Sequence, residues 1–195
     1  MKRLAWLLAL ALVGAGGWFL FTEKAPQGPY PGMGGDFTLQ SAQGPVSLSD
    51  FRGKVVLLYF GYTSCPDVCP TTLGALATAL KRLSPEELAR VQPLFVSVDP
   101  ERDAPRKLVE YVRYFHPKLI GLTGPLERLK SIAKRYGAYF RKALVEDSSF
   151  GYAVDHSSVI YIVDERGVLV DMIQHSSSPE VIVTRLRRVL HPGSS

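Results

Sequence analysis

A chain of 195 residues has room for one ordinary domain and an appendage. Hydrophobic residues make up 46% of it and charged residues 21%, a composition typical of a globular protein with a sizeable core. The formal net charge of +5 is carried partly by the N-terminus, and the remaining basic residues are mostly scattered, which argues against a nucleic-acid partner.

The N-terminal segment contains a long stretch without charge, Leu4 to Phe21, which follows Lys2 and Arg3. As a helix this stretch spans roughly 27 Å, just enough for a hydrocarbon core of about 30 Å. The two basic residues favour a cytoplasmic N-terminus, so the chain after Thr22 is expected outside the cytoplasm. The pattern predicts a membrane anchor over residues 1–24 with one transmembrane helix.

A cleaved signal peptide is the alternative interpretation of this segment. The apolar stretch is longer than the core of a usual signal peptide, and Trp18, Phe19 and Phe21 occupy positions where small residues should precede a cleavage site. These features favour a retained anchor. We therefore expect a single-pass protein of the cell membrane whose globular part is extracytoplasmic, in the periplasm.

A segment rich in proline and glycine follows the anchor, over residues 25–35. Such a composition predicts a linker without regular structure, which could extend by about 3 Å per residue, or roughly 30 Å in all. The folded domain is expected over residues 36–191, followed by a frayed tail at 192–195.

Within the domain, short apolar patterns predict strands and helices in alternation. Alternating residues on both sides of Gln43-Gly44 predict a β-hairpin, and a second hairpin is predicted around Asp164–Gly167. Two continuous apolar runs, Val55–Phe60 and Leu94–Val98, are typical of buried central strands. Apolar residues at helical spacing predict four helices, within residues 73–83, 105–115, 126–133 and 181–190.

This order of elements predicts an α/β fold, with a mixed central sheet covered by helices on both faces. The connection between the two buried strands is expected to be a right-handed crossover between parallel neighbours. Arg185, Arg187 and Arg188 on the last predicted helix are interpreted as a solvated helix face rather than a binding patch.

The two cysteines of the chain, Cys65 and Cys69, lie between the first buried strand and the next helix. In open α/β folds, ligands bind beyond the carboxyl ends of the strands. The helix is expected to begin between Pro66 and Pro70, because proline is well tolerated only in a first turn. A helix N-terminus lowers the pKa of a nearby thiol, and a spacing of four residues lets two sulfurs converge on one ion.

A structural disulfide and two free thiols are alternatives for this pair. A bond between Cys65 and Cys69 would close a very short loop, so the stabilisation it offers is small, about 2 kcal/mol in the chain-entropy model. A domain of this size does not need such a cross-link. The spacing therefore favours redox or metal chemistry.

The surrounding sequence helps to separate metal binding from dithiol chemistry. A dithiol oxidoreductase of thioredoxin type normally has two residues between its cysteines and a cis-proline opposite them, whereas this chain has three such residues. No proline occurs between Ala143 and Ser178, and the corresponding region carries His156, which we expect on a loop facing the cysteines. Two thiolates and one imidazole suit Cu(I) in a trigonal site, or Zn(II) with a fourth ligand.

A lone histidine is by itself weak evidence for a ligand, because most such residues are ordinary loop or core residues. The remaining histidines are poorer candidates still. His116 precedes a proline, His175 lies in a polar strand end and His191 lies beside the tail.

Three motifs in this chain resemble the signatures of the Sco/SenC copper-binding proteins: Gly61–Pro70, Val98–Asp103 and Tyr152–Ser157. The resemblance covers Phe37 to Leu190. It implies a thioredoxin-like fold that binds one copper ion per chain, Cu(I) or Cu(II). The positions that match the ligands of the family are Cys65, Cys69 and His156.

The resemblance also implies a role in maturing the binuclear CuA centre in subunit II of cytochrome c oxidase. The leading hypothesis is a copper metallochaperone, with subunit II as one partner and another periplasmic copper carrier as a second. The alternative is an enzyme, a thiol–disulfide oxidoreductase whose redox pair Cys65 and Cys69 keeps the cysteines of the target reduced. A peroxidase is disfavoured, because Leu58 and Tyr62 stand where its signature requires Pro and Thr.

Three aspartates belong to the same motifs, Asp67, Asp99 and Asp155. A carboxylate that orients His156 and a carboxylate that caps a helix or turn are both consistent with the sequence.

Overall fold

The computed structural model describes residues 28–144 and 151–193. The predicted membrane anchor, residues 25–27 of the predicted linker and residues 194–195 of the predicted tail lie outside these ranges. Among the helices of the described residues, none has the length and apolar character needed to cross a bilayer.

The described residues form strands and helices that alternate along most of the chain. The strands are β1 (Thr38–Ser41), β2 (Gly44–Ser47), β3 (Val55–Gly61), β4 (Val91–Ser97), β5 (Ile120–Leu122), β6 (Phe140–Leu144), β7 (Tyr152–His156), β8 (Val159–Val163) and β9 (Leu169–Gln174). The helices are α1 (Val68–Lys81), α2 (Pro85–Ala89), α3 (Pro105–Phe115), α4 (Leu126–Arg135) and α5 (Pro179–Leu190), and a 3-10 turn occupies Leu48–Phe51.

A five-stranded mixed sheet forms the centre of the fold, in the order β5-β4-β3-β8-β9. The strands β3, β4 and β5 are parallel, whereas β8 runs antiparallel to β3 and β9 antiparallel to β8. Every residue of β3 and β4 is buried, which is the environment that their continuous apolar sequences predict. The expected mixed α/β, thioredoxin-like fold is confirmed.

Both predicted hairpins are present, as β1–β2 and β8–β9. A further two-stranded sheet, β6–β7, was not predicted. Its strands pair only with each other, and most residues of β6 are exposed or half-buried, so neither strand shows a clean apolar alternation. The short strand β5 and the five-residue helix α2 were also missed, because three to five residues are too few for a period to emerge.

The arginines of α5 form ion pairs within the domain. Arg185 pairs with Asp171 at 2.6 Å and Arg187 pairs with Glu87 at 2.8 Å. These contacts agree with a solvated helix face, because two of the three arginines are engaged by neighbouring carboxylates.

The described part of the predicted linker contains no helix or strand, but it packs against the domain. The amide of Gly34 donates to the carbonyl oxygen of Arg135 at 2.8 Å, and the hydroxyl of Tyr136 donates to the carbonyl oxygen of Gly35 at 3.1 Å. Tyr30 and Met33 pack against the core. Apolar burial and hydrogen bonds therefore hold residues 28–35 against the domain, unlike the freely extending linker that their composition predicts.

The backbone at Gly28 passes unusually close to the start of β9. A Cβ atom at this position would lie 2.5 Å from the side chain of Val168 and 2.6 Å from the carbonyl oxygen of Leu169. Only glycine allows the chain to run this close to the strand.

Candidate metal centre

The cysteines lie on a sharp bend between the central strand β3 and helix α1. A Cβ atom at Gly61, the last residue of β3, would lie 2.8 Å from the Sγ atom of Cys69 and 2.9 Å from the ring of Phe95. The missing side chain therefore makes room for a thiol. Cys69 lies in the first turn of α1 and is fully buried, whereas Cys65 precedes the helix and is half-buried.

The two thiols are free and face each other across one turn. The backbone amide of Cys69 donates to the Sγ atom of Cys65 at 3.5 Å. The bend that carries them is held by Asp103, a carboxylate with no exposed surface, which accepts the backbone amide of Thr63 at 2.8 Å and the hydroxyl of Ser97 at 2.7 Å. The sequence singled out the motif that contains Asp103 but not this function.

His156 is brought to the cysteines as the last residue of β7, opposite Phe140 in β6. The expectation that it lies on a loop is wrong, because the unpredicted β6–β7 hairpin extends to this residue. Its Nε2 atom lies 3.4 Å from the Sγ atom of Cys69. Its Nδ1 atom lies 3.2 Å from the carbonyl oxygen of Ser157. Since a carbonyl oxygen only accepts, a neutral ring making this bond carries its proton on Nδ1 and directs the Nε2 lone pair towards the cysteines.

The two Sγ atoms and an imidazole nitrogen of Cys65, Cys69 and His156 all lie within 4.8 Å of one another. Ligands that bind one ion at about 2.0 Å through nitrogen and about 2.3 Å through sulfur need to be roughly 4 Å apart. In the part of the chain that the structure describes, these residues form the one His, Cys, Asp or Glu group that could hold a metal ion. The donor set is soft and fits copper or zinc.

The thiols differ strongly in their affinity for a proton. The hydrogen bond from the Cys69 thiol is the main cause that lowers the pKa of Cys65 to about 3, against the opposing effect of burial. The same hydrogen bond, followed by burial, raises the pKa of Cys69. At neutral pH the pair therefore carries one negative charge, and a metal ion that binds both sulfurs must displace the proton from Cys69.

Two tyrosines flank the imidazole ring edge to face. The ring centroid of Tyr62 lies 5.7 Å from that of His156 at an interplanar angle of 88°, and that of Tyr59 lies 6.3 Å away at 77°. The hydroxyl of Tyr59 also donates to the Sγ atom of Cys69 at 3.8 Å. The aromatic contacts restrict the orientation of the histidine ring.

A polar cluster of Asp99, Arg102 and Tyr152 ties the β6–β7 hairpin to the loop after β4. The hydroxyl of Tyr152 donates to Asp99 at 2.7 Å, and Arg102 forms an ion pair with Asp99. The guanidinium of Arg102 stacks on the ring of Tyr152 at 3.7 Å and donates to its carbonyl oxygen at 3.0 Å. This cluster holds the strand that ends at His156.

The three aspartates singled out in the sequence bond to groups other than the His156 ring. Asp155 pairs with Arg141 at 3.3 Å, Asp67 accepts the hydroxyl of Thr71 at 3.2 Å, and Asp99 belongs to the cluster with Arg102. The carbonyl oxygen of Ser157 contacts Nδ1 in place of a carboxylate.

The chain is similar in sequence to known proteins. The SCO1/SenC family model matches residues 26–191. The mitochondrial SCO2 homolog of Mus musculus is 40% identical over 197 residues, an alignment that covers 93% of this chain and 77% of the mouse protein.

Solved structures share the fold. The crystal structure of Arabidopsis thaliana ScoI with copper bound has a TM-score of 0.76 and 39% identity, over 82% of this chain and 99% of that chain. BsSco, a member of the Sco family of cytochrome c oxidase assembly proteins in which a disulfide switch was identified, has a TM-score of 0.64 over 85% of this chain and 99% of its own. At 23% identity, this second likeness shows the fold alone.

Proposed function

Because the chain belongs to the SCO1/SenC family, we propose that it is a copper metallochaperone for the binuclear CuA centre of cytochrome c oxidase subunit II. It carries one copper ion, Cu(I) or Cu(II), on Cys65, Cys69 and His156. The observation that carries the proposal is the convergence of these three ligand atoms within 4.8 Å. The copper bound in the Arabidopsis relative supports the copper site, and the three motifs that resemble the Sco/SenC signatures support the oxidase target.

The exposure of the ligands suggests an order for copper transfer. Cys69 is fully buried, whereas Cys65 and His156 are half-buried and can be approached by a ligand of the acceptor. Copper bound by thiolates moves to an acceptor by ligand exchange, so the accessible ligands leave first and Cys69 last. As the copper leaves, Cys69 regains the proton that its raised pKa favours.

The ligand set is tested by titrating the full-length protein with Cu(I) and Cu(II). His156→Ala is expected to weaken copper binding more than about 100-fold, because it removes a ligand that directs its Nε2 atom at Cys69. His175→Ala, at an exposed position, is the matched control and should bind copper as the wild type does. Wild-type affinity in His156→Ala contradicts the proposed ligand set.

A thiol–disulfide oxidoreductase that reduces the cysteines of subunit II is the second candidate function. The free thiol pair and the lowered pKa of Cys65 favour it, since a thiolate is the attacking nucleophile in disulfide exchange. In that case another periplasmic copper carrier supplies the metal, and His156 is dispensable.

Mixing copper-loaded protein with reduced apo-subunit II, and copper-free reduced protein with oxidised apo-subunit II, separates the two functions. A metallochaperone transfers copper to the reduced target, whereas an oxidoreductase increases the free thiols of the oxidised target without delivering copper. His156→Ala should abolish the first result and leave the second.

The predicted anchor extends the proposal to location. We infer that the protein is held in the cell membrane by residues 1–24, with its N-terminus in the cytoplasm and its domain in the periplasm. A reporter fused to the C-terminus tests this topology, because alkaline phosphatase is active outside the cytoplasm. An inactive fusion that is nevertheless produced contradicts it.

A further inference from the structure

Tyr59 contacts two of the three candidate ligands from within the central sheet. It lies on β3 between Phe95 of β4 and Ile160 of β8, and its side chain has no exposed surface. Its hydroxyl donates to the Sγ atom of Cys69, and the plane of its ring stands nearly perpendicular to that of His156.

The hydroxyl proton of Tyr59 is directed to sulfur. The Sγ atom of Cys69 accepts this hydroxyl at 3.8 Å. The hydroxyl of Thr72, which also lies near that of Tyr59, donates to the carbonyl oxygen of Val68 at 2.7 Å. A hydrogen bond in so buried a place is stronger than it is in water, because the surroundings have a low dielectric constant.

We propose that Tyr59 is a positioning residue that controls how much electron density Cys69 gives to copper and that fixes the ring of His156. The part of this inference that concerns copper rests on the proposed function. A hydrogen bond to a thiolate draws on the sulfur lone pairs that bind the metal, so it weakens donation to Cu(II) more than to Cu(I).

Tyr111 offers a matched control in the same part of the core. Its hydroxyl is buried and has no hydrogen-bond partner within residues 28–144 and 151–193. Its ring centroid lies 5.5 Å from that of Phe95, which in turn lies 6.2 Å from that of Tyr59, so the two tyrosines share one part of the core. Tyr59→Phe and Tyr111→Phe each remove one buried hydroxyl and keep the ring, but only Tyr59→Phe removes a hydrogen bond to sulfur.

The copper experiment uses the full-length protein loaded with Cu(II), and Tyr59→Phe should move its thiolate-to-copper absorption band to longer wavelength. The ratio of Cu(II) to Cu(I) affinity should rise about tenfold, since a hydrogen bond to a charged group contributes roughly a factor of ten or more. Tyr111→Phe should leave both quantities at their wild-type values.

A second experiment needs no copper and uses glutathione. Oxidation of Cys65 and Cys69 forms one disulfide bond and releases two protons and two electrons, which reduce oxidised glutathione to two molecules of glutathione. The hydrogen bond from Tyr59 stabilises the reduced thiol more than the disulfide, so Tyr59→Phe should shift this equilibrium about threefold towards the disulfide. Tyr111→Phe should not shift it.

The two experiments keep the inference separate from the proposed function. If the wild type binds no copper, the proposed function fails, and the glutathione equilibrium alone decides the role of Tyr59. A glutathione equilibrium that is the same in Tyr59→Phe and in the wild type overturns the inference. An equal shift in both variants also overturns it, because the effect then reflects the loss of any buried hydroxyl.

Discussion

The cysteine side and the histidine side of the candidate metal centre are built in different ways. The cysteine side comprises the central strand β3, the bend at residues 61–69 and the first turn of α1, and its buried parts are fixed by the core. The histidine side is the β6–β7 hairpin, which forms a sheet of its own and is half-exposed along much of its length.

This difference indicates which half of the site can adapt. Local opening costs little where few apolar contacts are buried. Within β6 and β7 only Val154 is buried, and the polar cluster of Asp99, Arg102 and Tyr152 ties the hairpin to the loop after β4. The sulfurs therefore provide a fixed pair of ligands, and the imidazole closes the site from a separate element.

The largest expected effect comes from breaking the support of the cysteine side. Asp103→Ala should lower the free energy of unfolding by about 3 kcal/mol, because the amide of Thr63 and the hydroxyl of Ser97 lose their buried acceptor. Chemical denaturation measures this loss. Asp155→Ala, which removes an exposed ion pair of the hairpin, is the control and should change stability by less than about 1 kcal/mol. Equal losses in both variants would remove the distinction between the two sides.

A substitution at the end of β3 should also disturb the cysteine side. Gly61→Ala introduces a methyl group that would lie 2.8 Å from the Sγ atom of Cys69 and 2.9 Å from Phe95. We expect a loss of about 2 kcal/mol in the free energy of unfolding, since overpacking forces the thiol or the ring to move. Thermal unfolding measures the loss. Gly74→Ala on α1, where a Cβ atom meets no neighbour within 4 Å, should not destabilise the protein.

The histidine side should respond differently, with a local rather than a global change. Tyr152→Phe removes the hydrogen bond to Asp99, which contributes about 1 kcal/mol, and keeps the ring on which Arg102 stacks. Amide hydrogen exchange should become about fivefold faster in β7 but not in β3. Tyr139→Phe, at a side chain that is 53% exposed, is the control. Faster exchange throughout the central sheet would contradict a separate histidine side.

The smallest effect concerns reactivity rather than stability. For an ordinary thiol, the fraction present as the reactive thiolate falls about tenfold for each pH unit below its pKa. The pKa of Cys65 is lowered to about 3, so this residue should stay ionised between pH 8 and pH 4. Its rate of alkylation by iodoacetamide should therefore be nearly flat over this range. Cys69→Ala removes the main cause of the lowered pKa, so in that variant the rate should decline steeply as the pH falls. A steep decline in the wild type would show that the Cys69 thiol does not stabilise the Cys65 thiolate.

The difference between the cysteine side and the histidine side also explains what could be predicted from the sequence. The continuous apolar runs of β3 and β4 and the prolines around Cys65 and Cys69 are local signals, so the central strands and the bend were predicted correctly. The hairpin gives no such signal, because its strands are short and half-exposed.

His156 was identified as a candidate ligand from its place in the region that carries a cis-proline in dithiol oxidoreductases. The family motif was needed to strengthen that interpretation, because one histidine far along the chain has no informative spacing. The supporting contacts were beyond prediction for a related reason. Asp103 reaches Thr63 across 40 residues of chain, and only the paired strands β3 and β4 bring them together.

The packing of Gly28 against β9 has a consequence for how the protein meets its partners. Leu169 is in register with Val163, which pairs with the beginning of β3, so the chain enters the domain at the opposite pole from the metal centre. The seven residues of β3 separate the two poles by about 20 Å. Under the proposed anchoring by residues 1–24, the candidate metal centre would lie on the side of the domain opposite to the point where the chain enters it, and an acceptor in the same membrane would have to reach that far side.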